Sequence, residues 1–149
     1  MLKNVPSVLS PELLKVLAEM GHNDVIVLGD GNFPGAGLAK TGGAQLIRAD
    51  GIGATALLDA ILTMIPADTY VETPIVLMRR EPQDAELDIP IWKEFEAVVE
   101  KHDPRGKKAI GFIDRFRFYD ETKNAYAVIQ SGEAAVYACV MIRKGVIKS

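Results

Sequence analysis

The stretch Met20-Gly21-His22-Asn23-Asp24-Val25-Ile26-Val27-Leu28-Gly29-Asp30 decides how this chain folds. Gly21 is a helix stop, because glycine adopts the left-handed backbone that ends helices at no steric cost. Val25 to Leu28 is a continuous apolar run, the pattern of a strand covered on both faces. Asp30 stands at the exit of that strand. His22, one of only two histidines in the chain, lies in the loop before it. A histidine and an aspartate therefore bracket one buried strand.

Upstream, Ser10-Pro11-Glu12 is a helix start, with Ser as N-cap, Pro at the first helical position and an acid in the first turn. Leu13, Leu14, Leu17 and Met20 give that helix its apolar face. Downstream, Gly29 to Gly43 contains six glycines and one proline, and reads as a long loop of the kind that carries function. Gln45 to Arg48 reads as a short strand. Asp50 is placed to cap a helix whose face is Leu57, Leu58, Ile61, Leu62 and Ile65 and which Pro66 ends. Ile75 to Met78 is a third buried strand. Arg79 to Ile89, charged and interrupted by Pro82, reads as solvated loop. Pro90 opens a helix with Ile91, Trp92, Phe95, Val98 and Val99 inward. Asp103-Pro104-Arg105-Gly106 is a turn, and Ala109 to Ile113 a strand. A short helix over Asp114–Glu121 and strands over Ala125–Gln130 and Tyr137–Ile142 complete the chain. Alternation of helices with buried strands gives an α/β fold, a single layered domain over residues 1–149 with a mixed β-sheet flanked by helices.

The 149 residues are 48% hydrophobic and 25% charged, with a net charge of −3. Their number suffices for one domain with a hydrophobic core. The mean hydropathy of +0.11 is high enough to suggest an oligomer interface. With no basic excess, nucleic acid is not an expected partner. No apolar run reaches the roughly 18 residues that span a membrane, and Met1 to Pro6 lacks the apolar stretch of a signal peptide. The single cysteine, Cys139, forms no internal disulfide and lies in an apolar run, as a small buried side chain would. A cytoplasmic protein fits these features.

Familiar motifs fit poorly. Ala39-Lys40-Thr41 resembles the end of a P-loop, but Ala39 precedes the lysine and Pro34 stands where the first glycine is required. Gly51-Ile52-Gly53-Ala54-Thr55-Ala56 matches G-x-G-x-x-A, yet it follows the second strand and no acid closes the next one. No zinc-type spacing or nucleophile elbow occurs. His102, at a charged helix end, reads as a solvated residue near the negative end of the helix dipole. What remains is a polar and aromatic set: His22, Asp30, Arg48, Asp50, Arg115, Tyr119 and Tyr137. On spacing alone each also fits a structural role, as a cap, a solvated face or a core aromatic with its hydroxyl at the edge.

Ser10-Pro11-Glu12-Leu13-Leu14-Lys15-Val16-Leu17-Ala18-Glu19-Met20-Gly21-His22 resembles the opening of the L-fucose mutarotase branch of the RbsD/FucU family. Further blocks in matching order are Asp30 with Phe33-Pro34, Ile47-Arg48-Ala49-Asp50-Gly51, Arg115-Phe116-Arg117-Phe118-Tyr119, Ser131-Gly132-Glu133, Tyr137, and Lys144-Gly145-Val146. The resemblance implies sugar mutarotation, the exchange of α and β anomers of a reducing monosaccharide, without metal or redox cofactor. A base takes the proton of the anomeric hydroxyl and an acid protonates the ring oxygen. The ring opens to the aldehyde, the carbonyl rotates, and the ring closes on the other face. A positioned acid–base group contributes about 10²–10⁴-fold to such a step.

By resemblance, His22 matches the catalytic proton donor and Tyr119 the second proton-transfer group. Asp30 and Arg115 match sugar-binding residues, and Tyr137, Ala138 and Cys139 a sugar-contacting stretch. The family forms pentameric rings paired into decamers with sites between neighbours. Two departures fall at substrate contacts: Gly31-Asn32 follows Asp30 where the fucose branch has Ala-His, and Cys139 replaces an Asn. A thiol lacks the paired donor and acceptor of an amide. The resemblance thus points to L-fucose or a related sugar. A non-catalytic sugar-binding protein of the same fold, in transport or regulation, is the alternative.

Overall fold

The computed structural model describes residues 1–149. In chain order the elements are α1 (Pro11–Glu19), β1 (Val25–Gly29), α2 (Gly35–Gly42), β2 (Gln45–Ala49), α3 (Ala54–Met64), β3 (Ile75–Met78), α4 (Ile91–His102), β4 (Ile110–Ile113), α5 (Arg115–Lys123), β5 (Ala127–Ser131) and β6 (Val140–Arg143). A 3₁₀ turn at Pro82–Asp84 follows β3, and another at Gly106–Ala109 precedes β4. The strands form one six-stranded sheet in the order β2-β5-β1-β6-β3-β4. Five strands point the same way, and β6 runs antiparallel to both of its neighbours, β1 and β3. The fold is therefore the α/β mixed-sheet architecture that the alternation of helices and strands predicts.

The period of two along the central strands builds two cores. Ile26 and Leu28 of β1, Ala127 and Ile129 of β5, and Val140 and Ile142 of β6 face one side, against α1, α3 and α4. Val27, Val128 and Met141 of the same strands face the other, against Phe33, Ala39 and Phe118. Both faces of β1 are thus covered, which explains its unbroken apolar run. Phe95 of α4, Phe118 of α5, and Leu57, Leu58 and Ile61 of α3 are fully buried, and each contributes about 1.5–3 kcal/mol by leaving water.

The local signals set several boundaries. The Ser10 hydroxyl accepts the Leu13 N–H at 3.1 Å and starts α1. Asp114 caps α5 by accepting the Arg117 N–H at 3.1 Å.

Four sequence expectations are corrected. The Gly29–Gly43 segment is a short turn followed by α2, not one long loop. Glycine lowers helix propensity, but here tertiary packing outweighs it. A Cβ at Gly35 would stand 2.6 Å from Gln130 Oε1, and one at Gly42 would stand 1.8 Å from the Lys123 carbonyl oxygen. These glycines let α2 lie against β5 and α5. Asp50 does not cap α3. It pairs with Arg48, while Gly53 occupies the N-cap position and Glu133 Oε2 accepts the Ala54 N–H at 3.0 Å. The last strand begins at Val140, because Tyr137 takes a left-handed backbone (φ 58°) just before it. His102 is not solvated: its side chain is 16% exposed and its Nε2 lies 2.6 Å from Asp59 Oδ1 on α3.

Candidate active site

Because five strands are parallel and β6 is reversed, one rim of the sheet collects the C-terminal ends of β1, β3 and β4 and the start of β6. Loops at such a rim are where α/β sheets carry ligand sites. Asp30 leaves β1 there, Met78 ends β3, Arg115 and Tyr119 begin α5 after β4, and Tyr137 and Cys139 lead into β6. They meet around a cavity of about 240 Å³, closed further by Asn32, Phe33, Asp84 and Val136.

Asp30 is buried at 4% exposure, yet its carboxylate is satisfied. Oδ1 accepts the Asn32 N–H at 2.9 Å, and the Cys139 thiol donates to Oδ2 at 3.5 Å. Gln130 donates to the Asp30 carbonyl at 2.6 Å, which fixes the backbone turn. Burial, and then the Asp30 charge, push the Cys139 thiol well above its usual pKa, so it stays protonated as a donor.

Arg115 gives its Nε–H to Glu81 Oε1 at 2.8 Å. Its guanidinium lies 4.5 Å from the centre of the Phe116 ring and 5.8 Å from that of Tyr119. Glu81 first, and Tyr119 second, hold its pKa above the ordinary value. Tyr119 in turn packs edge-on against Phe33 at 5.8 Å.

Tyr137 is the most constrained residue at the site. Its hydroxyl donates to Asp84 Oδ2 and accepts the Glu81 N–H at 3.1 Å. Its carbonyl accepts the Trp92 indole N–H at 3.0 Å. Burial, and then the Asp84 hydrogen bond, raise the phenol's pKa. A bulky residue in the left-handed region costs on the order of 1–3 kcal/mol and persists only where its surroundings over-determine it. Here Asp84, Glu81 and Trp92 do so.

Of the residues singled out in the sequence, Asp30, Arg115, Tyr119, Tyr137 and Cys139 line this cavity. Ala138 is fully buried behind it. His22 is elsewhere: it lies before β1, at the opposite end of the strand from Asp30. Four strand rises of about 3.3 Å separate Val25 from Gly29, roughly 13 Å. His22 Nε2 lies 3.2 Å from Asp68 Oδ1, its ring lies 5.3 Å from that of Tyr70, and its side chain is 45% exposed. Burial pushes the Asp68 carboxyl up, but the Tyr70 N–H, the His22 ring and Arg143 outweigh it, so its pKa lies below the usual range. Arg48 and Asp50 form an exposed ion pair beside a second cavity of about 410 Å³ at the start of α2.

Residues 3–147 match the RbsD / FucU transport protein family. The chain belongs to that family. The fucose mutarotase of Homo sapiens is 46% identical over 98% of this chain and 94% of its own length. Two solved members of similar closeness superpose on it. FucU from Bifidobacterium longum is 48% identical with a TM-score of 0.93, covering 97% of this chain and 99% of that one. The fucose mutarotase from Streptococcus pneumoniae, in complex with L-fucose, is 41% identical with a TM-score of 0.90, covering 99% of this chain and all of that one (100%).

The RbsD/FucU fold thus accounts for the rim on which the cavity lies. Sequence reading missed Glu81, Asp84 and Trp92, which buttress Arg115 and Tyr137. A signal for the two acids was present: like Asp30, they follow the C-terminal end of a buried parallel strand. Composition hid it, because the charged run from Arg79 reads as solvent-facing. The cavity presents two carboxylates, the guanidinium's two Nη groups, and aromatic walls. Such a set suits a neutral polyhydroxylated ligand, whose hydroxyls donate to the carboxylates and accept from arginine while its C–H faces lie on the rings. No group of three or more His, Cys, Asp or Glu side chains has metal-binding geometry.

Proposed function

We propose that this protein is a cofactor-independent monosaccharide mutarotase that interconverts the α and β anomers of L-fucose or a closely related sugar. The carrying observation is the convergence of Asp30, Arg115, Tyr119 and Tyr137 on one rim cavity. Nearly full-length relatives named fucose mutarotase support the reading, as does a solved relative in complex with L-fucose.

In this reading Asp30 and Arg115 hold sugar hydroxyls, with Tyr137 and Cys139 forming the wall beside them and Ala138 backing it from the core. Tyr119 is one proton-transfer group. His22 is the other, and because its own chain holds it at the far end of β1, it serves the cavity of a neighbouring copy. One group removes the anomeric proton while the other protonates the ring oxygen, and the roles reverse on closure. Tyr137 is a poor proton donor to substrate, since its hydroxyl already donates a hydrogen bond to Asp84 and burial raises its pKa. Residues 1–149 act as one domain, the assembly is a decamer of two pentameric rings, and the protein works in the cytoplasm. No helix of the chain is long and apolar enough to cross a membrane.

A non-catalytic sugar-binding role draws on one observation: Cys139 offers its thiol to Asp30 rather than an amide to a ligand. Anomer exchange across L-fucose, D-ribose, D-galactose and L-rhamnose separates the two. Exchange on at least L-fucose supports the mutarotase; saturable binding with no exchange above background supports the binding protein.

A further inference from the structure

We propose that Asp84 is a substrate-contacting residue of the rim cavity, taking one specific sugar hydroxyl through its free oxygen. The proposal rests on the sugar-binding reading of that cavity, although not on its catalysis.

The 3₁₀ turn Pro82–Asp84 carries this carboxylate over the cavity after β3 ends. Its Oδ2 accepts the Tyr137 hydroxyl proton. Its Oδ1 has no hydrogen-bond partner in the chain, and the side chain is only half-buried. Asp30 differs: both of its oxygens are engaged, by Asn32 and Cys139, and it is buried. Asp84 is therefore the more available acceptor. Glu81, just before that turn, holds Arg115 by Nε, and Tyr119 is the other polar neighbour of the guanidinium. A carboxylate oxygen and a forked donor then face one cavity, the pairing that reads two hydroxyls of one ring by opposite hydrogen-bond sense. Since Tyr137 spends its proton on Asp84, that carboxylate's position is set before any ligand arrives, which lowers the ordering cost of binding.

Calorimetric titration of L-fucose and a set of its monodeoxy analogues into wild type, Asp84→Asn and Tyr137→Phe tests this. Asp84→Asn is expected to weaken L-fucose binding about ten- to hundredfold, the range for a hydrogen bond to a charged group. One deoxy analogue is expected to bind wild type and Asp84→Asn equally, because it lacks the hydroxyl that Asp84 accepts. Tyr137→Phe removes the donor to Asp84 and the acceptor of the Glu81 N–H but leaves the Asp84 carboxylate in place, so it is expected to keep the preference for that hydroxyl whatever it costs in overall affinity. A uniform loss across all analogues in Asp84→Asn, matched by Tyr137→Phe, would make Asp84 a structural brace and overturn the proposal. Unchanged affinity in Asp84→Asn, or no binding of any sugar by wild type, would also overturn it. Anomer exchange measured on the same samples reports on the mutarotase reading separately: binding coupled to Asp84 without exchange sinks catalysis and leaves this assignment standing.

Discussion

His22 and Asp30 stand at opposite ends of β1, the histidine against Asp68 at 3.2 Å and the aspartate against the Cys139 thiol at 3.5 Å. If both serve one sugar, they come from different copies of the chain. Co-refolding His22→Ala with Tyr119→Phe therefore restores activity that neither variant has alone, because some mixed sites receive both intact groups. Polarimetry on the mixture reads the recovery; its absence in a confirmed mixed oligomer would place both groups in the same copy's site.

The Cys139–Asp30 contact predicts an inert thiol. At 2% exposure, with its pKa raised, the side chain is neither reachable nor ionised near neutrality. Alkylation by iodoacetamide at pH 8 is expected to be absent in the native protein and complete in denaturant, read by mass spectrometry. Rapid native labelling would contradict the buried geometry.

Gly42 gives a test in which packing opposes propensity. Alanine is worth about 1 kcal/mol more than glycine inside a helix. A Cβ at Gly42, however, would meet the Lys123 carbonyl oxygen at 1.8 Å. Gly42→Ala is thus expected to lower stability by about 1–3 kcal/mol, the cost of overpacking, seen as a reduced urea midpoint. A raised midpoint would mean that α2 does not lie against the end of α5.

Asp103 predicts a pH dependence of stability. Its side chain is buried, and Arg105 first of all holds its pKa below the ordinary value, against the effect of burial. A carboxyl lowered on folding adds stability above its unfolded pKa of about 3.9. That stability is lost as pH falls through the folded value. Asp103→Asn should therefore cost about 1.5–3 kcal/mol at pH 7, the range for a charge-assisted hydrogen bond, and progressively less as the medium is acidified below pH 4. Thermal unfolding across pH 2–7 measures it; a cost independent of pH would assign the loss to packing.

These cases also show what the residues reveal before folding. The strands β1, β5 and β6 are legible as apolar runs because each buries both faces, so composition and environment agree. Asp30, Arg115, Tyr119 and Tyr137 stand out as a polar and aromatic set, but spacing alone leaves each a structural role, and only the family resemblance marks them as site residues. Helix α2 is not legible, since its glycines answer to contacts with Gln130 and Lys123, far away in sequence. Asp84 and Glu81 are not, because an acid at a cavity rim looks like an acid in water until β3 and β6 are paired. His102 reads as solvated for the same reason: only the packing of α4 on α3 brings Asp59 to it.

In the proposed function the rim cavity opens and recloses a sugar ring. Saturation-transfer NMR between the two anomeric protons of L-fucose tests it most directly, with wild type, Arg115→Ala and His22→Ala compared at equal concentration. Wild type should transfer saturation between the anomers well above the buffer rate. Each variant should lose that excess by about 10²-fold or more, within the range for a positioned acid–base or binding group. Transfer at the buffer rate in wild type, or full transfer in both variants, would contradict the account.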